Sequence, residues 1–577
     1  MKVSDYVVSY LKRRGVTCVF EMSGGMITHI LDSLNKDGEI KIVSVHHEQA
    51  AAFAADAYGR ITGIPGVAMA TSGPGATNLL TGIGSSYFDS SPTVFLTGQV
   101  NRSELKGNRA IRQLGFQETD IVSIASPVTK AAWQIQDPEE VPEILQRAFN
   151  LAIKERSGPV LLDIPMDVQR TDISISEKNN QNLSTSNSTN EDSYLYQEIL
   201  TQLKNAKRPL ILVGGGMRAA RAVDIFRKFV HKLKIPVVNS LMAVDVLPYN
   251  DLLRVGMIGS YGNRWANLAI AKSDMLLVLG SRLDVRQTGS QTEAFKANKI
   301  IYHVDCEEGE TNNRIKGCKV LIRNLQEFLT LSLRLIEEQE FKEQKEWIAE
   351  ITDLKKSWPD TFELSKISGI NPNFFMHQLS QVSKEAAVYV VDVGQHQMWA
   401  AQSLELSPEQ QFVTSGGMGS MGFALPAAIG TVFAVNLKPV IVIAGDGGFQ
   451  SNIQELQTVV RNQLPLKIIV LNNKCHGMVR QFQESLFEGR YQSTLWGYSA
   501  PNFASIASSY GISSKTILSE KDVKGALHWL WKDPKKPVLL QVMIDTFANA
   551  YPKINFGKPN TEMEPYVEPY KQTMDTE

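Results

Sequence analysis

Residues 441 to 478 read IVIAGDGGFQSNIQELQTVVRNQLPLKIIVLNNKCHGM. An apolar, β-branched run ends in Gly445, Asp446 and Gly447. An amphipathic helical segment follows, and a second apolar run, Leu466 to Leu471, ends in Asn472 and Asn473. Short apolar runs bounded by turn residues are buried strands, so the stretch predicts a βαβ unit. Such a unit crosses over right-handed and sets its strands parallel in one sheet. Asp446 and Asn473, 27 positions apart, therefore emerge at the same carboxyl edge. A carboxylate and an amide oxygen, beside glycines whose N–H groups can approach a phosphate, suit a Mg²⁺ ion shared with a diphosphate. The stretch contains neither a GxxxxGK[ST] loop nor a GxGxxG fingerprint, so the usual nucleotide readings find no support in it. Ordinary turn chemistry would explain GDG or NN alone; the spacing between them is what points to a site.

At 577 residues the chain should form about three domains. It is 43% hydrophobic and 21% charged with a net charge of −1, a balance that draws it neither to nucleic acid nor to anionic membranes. The N-terminal MKVSDYVVSYLKRRGV has the pattern of an amphipathic helix rather than a signal peptide, and no apolar run reaches membrane-span length, so a cytoplasmic location is expected. Cys18, Cys306, Cys318 and Cys475 lack metal or CxxC spacing, and disulfides are not expected.

Residues 1 to about 175 alternate helical patterns with short apolar runs at Cys18–Phe20, Ile42–Val45, Gly66–Ala70, Thr93–Thr97 and Val160–Ile164, which is α/β with a mostly parallel sheet. Glu48 opens an Ala-rich helix; it could serve the helix dipole, or hold a proton shared with a bound base in a low-dielectric setting. TSGPGATN, Thr71 to Asn78, puts small residues at a strand-to-helix turn, and TSGGMG, Thr414 to Gly419, is a faint echo that raises the prospect of two related α/β domains. Ser174 to Asp192, rich in Asn, Ser and Thr, reads as a linker, placed at 176–195. Beyond it, strands at Leu210–Val213, Pro236–Asn239, Met275–Leu279 and Lys299–Val304 predict a middle doubly wound domain, 196–340, in which Gly214 to Gly216 alone do not identify a dinucleotide. A charged helix, Ile336–Lys356, is expected to lead into a third α/β domain, 365–555, with strands at Val388–Val391, Val440–Ile443, Leu466–Leu471 and Val538–Val542. The tail, 556–577, should be irregular or an arm over the surface.

Across nearly its whole length the chain resembles the acetohydroxyacid (acetolactate) synthase group of thiamine diphosphate enzymes. The resemblance rests on HEQAAAFAADAYGR, ATSGPGATNLLTGI, GFQETD, GPVLLDIPMDV, GSRLDVRQTG, VGQHQMWAAQ, TSGGMGSMGFALPAAIG and the stretch quoted above. It implies three doubly wound domains: pyrimidine-binding, FAD-holding and diphosphate-binding. It implies thiamine diphosphate, Mg²⁺ and FAD as cofactors, pyruvate and a carbonyl acceptor as substrates, and a homodimer or homotetramer with active sites at the subunit interface. By position, Glu48 would hydrogen-bond N1′ of the aminopyrimidine, Gly419 would accept from its 4′-amino group, and Met421 would be the apolar wedge that holds the cofactor bent. Asp446, Asn473 and the Cys475 carbonyl would bind Mg²⁺; Gln395, His396, Gly445, Gly447 and Gly448 would meet the diphosphate. Gly215, Gly216, Gly256, Gly280, Ser281, Arg282, Asp284 and Asp305 would hold FAD. Gly25, Gln99, Phe116, Gln117, Met478 and Phe482 would line the substrate site, and Arg286 would face the acceptor.

Four departures bear on that acceptor. Ser23 stands where the group carries Pro before Gly24 and Gly25, Met166 replaces a lysine, Ile258 replaces a histidine, and Phe482 replaces a tryptophan that favours 2-ketobutyrate. They suggest a bulkier acceptor, as in the thiamine flavoenzymes that add a two-carbon branch to deoxysugars. The alternatives are a pyruvate oxidase-like flavoenzyme and a non-catalytic cofactor-binding relative; the second could lose Glu48, Asp446 or Asn473, and all three are present.

Overall fold

The computed structural model describes residues 1–174 and 190–570. Three six-stranded parallel sheets follow one another along the chain. The first contains β1 (Cys18–Met22), β2 (Lys41–Ser44), β3 (Gly66–Ala70), β4 (Thr93–Gln99), β5 (Ala131–Gln134) and β6 (Pro159–Pro165). The second contains β7 (Pro209–Val213), β8 (Val237–Asn239), β9 (Arg254–Met257), β10 (Met275–Leu279), β11 (Ile300–Asp305) and β12 (Lys319–Ile322). The third contains β13 (Val388–Val391), β14 (Gln411–Thr414), β15 (Val440–Gly445), β16 (Leu466–Asn472), β17 (Ser513–Ile517) and β18 (Val538–Met543).

The first and third sheets share one strand order, β2-β1-β3-β4-β6-β5 and β14-β13-β15-β16-β18-β17. The two outer domains are thus topological copies. The TSGPG and TSGG turns are not the matching parts of those copies: the first follows β3, while the second follows β14, the counterpart of β2. The middle sheet runs β12-β11-β10-β7-β8-β9, the doubly wound order whose switch point, here between β7 and β10, is where dinucleotides bind in open α/β sheets. The triple glycine after β7 gains from the topology the support that it lacked in sequence.

The outer domains pack through the helices Glu48–Thr62 and Ala424–Ala434, both nearly all small and apolar on the shared face. At Gly430 an added Cβ would lie 2.8 Å from Ala54 Cα, so only glycine permits this approach. Phe53 and Phe423 meet edge to face at 5.2 Å. This contact fixes Glu48, the first residue of its helix, relative to the third sheet.

Two expectations need correction, and a third is met in part. The interdomain linker at 176–195 lies outside the described residues up to 189, and from Asn190 the chain is already helical, through Asn205. The charged helix expected over Ile336–Lys356 is two helices, Leu325–Leu335 and Lys345–Ser357. The break has two causes: Ile336 and Phe341 both turn into the middle core, and Glu337, Glu338 and Glu340 would sit at the negative end of the first helix. Of the tail, residues 571–577 lie outside the described residues. The rest is an arm: Lys553–Ile554 pairs antiparallel with Met563–Glu564, and Arg264 donates to the Met563 and Pro565 carbonyls at 3.4 and 2.9 Å. All four cysteines are free thiols. Among the described residues, no helix is long and apolar enough to cross a membrane.

Candidate functional site

At the carboxyl edge of the third sheet, β15 and β16 are paired from Val440↔Leu466 to Gly445↔Leu471, so Asp446 and Asn473 leave the sheet side by side. Asp446 is 3% exposed. Its Oδ1 accepts from the Gly447 N–H at 2.9 Å, while Oδ2 is buried without a hydrogen bond of ordinary geometry among the described residues. Burial pushes its carboxyl up to about 6. Lys474 takes a left-handed φ of +57°, and its N–H donates to Asn472 Oδ1 at 3.0 Å. This tight turn points Asn473 back over the edge. Asn473 Oδ1 accepts from the Cys475 N–H at 3.3 Å, and Nδ2 donates to Gln395 Oε1 at 3.2 Å. Gly477 lies beneath that amide pair, where an added Cβ would fall 2.6 Å from Asn473 Nδ2.

His396 lies under the two glycine turns: Cβ atoms at Gly394 and Gly445 would come 2.7 and 2.9 Å from its Cε1. Burial pushes its pKa down to about 3, so the ring is neutral at physiological pH, and Nε2 has no partner among the described residues. The set fits the groups implied for it. A carboxylate and an amide oxygen are hard donors of the kind Mg²⁺ takes. The glycines Gly445, Gly447 and Gly448 leave bare backbone for a diphosphate, and Asp446 Oδ2 is a buried carboxylate oxygen without such a bond, its carboxyl near the Tyr498 side chain.

A second element meets this edge. Gly419 and Gly422 both take positive φ, and the turn between them carries Met421, 40% exposed, whose Cε lies 3.2 Å from the position of a Cβ at Gly447. Asp392, at the end of β13, holds the turn. Its Oδ1 accepts from the Val393 and Gly422 N–H groups at 2.7 and 3.0 Å, and its Oδ2 from Ala424 at 3.2 Å. Asn452 Nδ2 donates to the Gly422 carbonyl at 2.8 Å and to Gln49 Oε1 at 3.1 Å, joining the turn to the helix of Glu48. Glu48 is 8% exposed and accepts from Asn78 Nδ2 at 3.0 Å; no hydrogen bond joins it to Asp446 or Asn473 among the described residues. Sequence reasoning passed over Asp392, Asn452 and Asn78, since an Asp or Asn near a strand end or in a turn has an ordinary local explanation.

A third element is a cavity of about 360 Å³ at the middle sheet's switch point, closed by residues of both outer domains. Gly215, Gly216, Gly280, Ser281, Arg282, Asp284 and Asp305 line it; Gly256 does not, because its position is filled by Asn263 and Trp265. Arg286, expected to face the acceptor, lines this cavity too, as do Arg60, Arg156, Arg218 and Arg221. The turns after β7 and β10 press together so closely that a Cβ on Gly216 would lie 2.8 Å from Gly280 Cα. Arg60, Arg156 and Arg218 are already paired with Asp56 and Asp89, with Glu307 and Glu310, and with Asp245, so the bare backbone at the switch point is the feature that fits a dinucleotide's diphosphate.

Of the remaining candidates, Gln99 is buried and its amide is spent internally: Nε2 donates to Asp163 Oδ2 at 3.0 Å and to the Thr119 carbonyl at 2.9 Å. Phe116 is 79% exposed, and Gln117, with φ +66°, packs against Gly73. At Gly25 a Cβ would meet nothing within 4 Å. Met478 and Phe482 lie on the Gly477–Leu486 helix, with Phe482 47% exposed.

Comparison with known proteins agrees with this architecture. Residues 1–124 match the thiamine pyrophosphate enzyme N-terminal TPP binding domain, 196–331 the central domain, and 392–542 the C-terminal TPP binding domain. The acetolactate synthase large subunit of Lactococcus lactis is 36% identical over 566 residues, covering 97% of this chain and 95% of the relative. The isozyme 2 large subunit of Escherichia coli is 36% identical, covering 98% and 99%, and the large subunit of Porphyra purpurea is 35% identical, covering 97% and 95%. The chain belongs to the acetolactate synthase large-subunit family of thiamine pyrophosphate enzymes, and is a C–C bond-forming enzyme of that class.

Proposed function

We propose that this enzyme decarboxylates pyruvate and joins the two-carbon unit to a carbonyl acceptor, either a second pyruvate or a bulkier ketone such as a nucleotide-linked keto-deoxysugar. The observation that carries the reading is Asp446 Oδ2, a buried carboxylate oxygen without a hydrogen bond of ordinary geometry among the described residues, at an edge where an amide oxygen and bare glycines converge. Thiamine diphosphate, when bound, would supply the nucleophilic carbon and electron sink that decarboxylation of a 2-oxo acid and transfer of its two-carbon unit need.

The chain's own residues position and protonate. Asp446, Asn473 and the Cys475 carbonyl would hold Mg²⁺; Gln395, His396, Gly445, Gly447 and Gly448 would hold the diphosphate. Glu48, with Oε2 fixed by Asn78, would hold the proton shared with N1′ of the pyrimidine. The Gly419 carbonyl and the Met421 side chain would orient the ring, on a turn that Asp392 makes rigid. FAD in the middle cavity would be structural, because neither half of the reaction moves a hydride. Exposed Tyr87, Phe88 and Met418 form a neighbouring apolar surface, with Gly84 and Gly417 making room for Met418 and Phe88; this supports a homodimer or homotetramer.

The larger acceptor is favoured by Phe482, which is 47% exposed on the Gly477–Leu486 helix where the relatives' bulkier side chain would stand. A tryptophan at 482 would narrow the site there, and selectivity by packing is worth about 1 to 3 kcal/mol per methylene. Pyruvate with a panel of 2-ketobutyrate and cyclic or activated ketones, products resolved by mass, tests this. Acetolactate from pyruvate alone and cross-products with ketones are expected, with Phe482→Trp moving product towards 2-ketobutyrate. A preference of the unchanged enzyme for 2-ketobutyrate of tenfold or more, about 1.4 kcal/mol, with no ketone product, would overturn the larger acceptor.

A further inference from the structure

Behind the Asp446 and Asn473 edge runs a chain of buried amides. Asn473 Nδ2 donates to Gln395 Oε1 at 3.2 Å, and Gln395 Nε2 donates to Gln481 Oε1 at 3.1 Å. Gln481 is then pinned by backbone on both atoms: its Oε1 accepts from the Ala550 N–H at 2.9 Å, and its Nε2 donates to the Ala550 carbonyl at 3.0 Å. The exposures of Asn473, Gln395 and Gln481 are 7%, 3% and 2%. An amide side chain presents oxygen or nitrogen depending on a half-turn of its terminal torsion, and for a buried amide only its partners decide which. The backbone at Ala550 has one donor and one acceptor, so it fixes Gln481; Gln481 then offers oxygen to Gln395, which must answer with nitrogen and offers oxygen onward. Asn473 must give its nitrogen to Gln395, which leaves Oδ1 for the other side, where the Cys475 N–H also donates to it at 3.3 Å. The neighbouring Arg480, fully buried and bonded to Asn549 and to Glu484, fastens the same segment to the helix.

We propose that Gln481 is a positioning residue that dictates, through Gln395, the orientation of the Asn473 amide, so that the metal meets oxygen rather than nitrogen. Gln481 need touch neither substrate nor cofactor for this. The proposal rests on the reading of Asn473 as a Mg²⁺ ligand given above.

Without an acceptor at 481, as in Gln481→Met, Gln395 loses its fixed sense and Asn473 keeps only the 3.3 Å bond from the Cys475 N–H to hold its oxygen in place, so arrangements that turn an N–H₂ group to the metal become populated. The test is a Mg²⁺ titration of thiamine diphosphate retention by full-length protein after rapid desalting, with thermal midpoints recorded without cofactor or metal. Gln481→Met should raise the Mg²⁺ half-saturation by about tenfold, and Gln481→Ala should do the same if the Met variant does not fold. Gln481→Glu keeps an oxygen towards Gln395 and should restore a near-normal requirement. In an Asn473→Asp background, where either orientation offers oxygen, Gln481→Met should have no adverse effect. If Gln481→Met and Gln481→Ala lower only the thermal midpoint and leave the Mg²⁺ requirement unchanged, while Asn473→Ala raises it, the relay is wrong. If Asn473→Ala also leaves it unchanged, the metal assignment itself is wrong.

Discussion

Replacing Gly477 by alanine should detach the cofactor without unfolding the protein. The added Cβ would lie 2.6 Å from Asn473 Nδ2 and 2.7 Å from Gln395 Cδ, with Gln395 Oε1 closer still. Ordinary contact begins near 3.4 Å, so Asn473 would have to retreat by at least 3.4 − 2.6 = 0.8 Å. Metal ligation tolerates only about 0.2 Å, and neither amide can retreat freely, since Gln395 is held by Gln481 and both are buried. Losing one hydrogen bond or ligand contact to a charged group costs about 1.5 to 3 kcal/mol, which corresponds to roughly 10- to 150-fold weaker binding. Gly477 is half-buried at the start of its helix, so the strain falls on the two amides, and this overpacking should cost about 1 to 3 kcal/mol of stability without cofactor, short of unfolding. Equilibrium binding of thiamine diphosphate at fixed Mg²⁺, followed by protein fluorescence, measures the effect. Binding within twofold of the unchanged protein would refute the packing argument and the place of Asn473 in the site.

Three further outcomes are expected. Glu48→Gln should keep the cofactor bound yet slow its C2 proton exchange by about two or more decades, because an amide cannot share a proton at N1′; unchanged exchange, followed by NMR in deuterated buffer, would remove Glu48 from that role. Asp446→Ala should lose thiamine diphosphate at low Mg²⁺ while flavin absorbance persists, since the middle cavity is lined by other residues; joint loss from a folded protein would contradict the separation of the two sites. His377 sits between Glu405, 2.8 Å from Nδ1, and Asp360, 3.0 Å from Nε2, with Tyr249 edge-on. Burial depresses its pKa but the two carboxylates outweigh this and leave it raised. A raised folded pKa gives stability fully present below the unfolded value, about 6.5, and lost as pH rises through the folded one. The fall in thermal midpoint caused by His377→Gln should therefore be larger at pH 5.5 than at pH 9, and equal falls at both would show that the imidazolium contributes nothing.

Much of the fold was legible because parallel strands buried on both faces must be continuous apolar runs. Thirteen strands are visible in that way, and the five that are not (β5, β9, β12, β14 and β17) all lie at sheet edges. Edge strands such as β17, largely exposed on alternate residues, have no need of an apolar run. The Asp446 and Asn473 pair could be read because a crossover fixes where two strand ends go. The supporting groups could not, because their partners are distant in sequence: Asp392 holds a turn 30 residues away, and Gln481 acts on Gln395 across 86. Arg286, in the short helix Val285–Thr288 after β10, lines the cavity at the switch point between the three domains, a placement that no local pattern in the sequence could reveal.

The most direct test of the account is the fate of pyruvate labelled with ¹³C at carbons 2 and 3, given to the enzyme with thiamine diphosphate, Mg²⁺ and an unlabelled ketone. Products carrying both labelled carbons joined by a new C–C bond to the acceptor, two mass units heavier than the unlabelled adduct, are expected, together with acetolactate. Labelled acetate formed with reduction of flavin or oxygen, labelled acetaldehyde alone, or pyruvate left intact would contradict it.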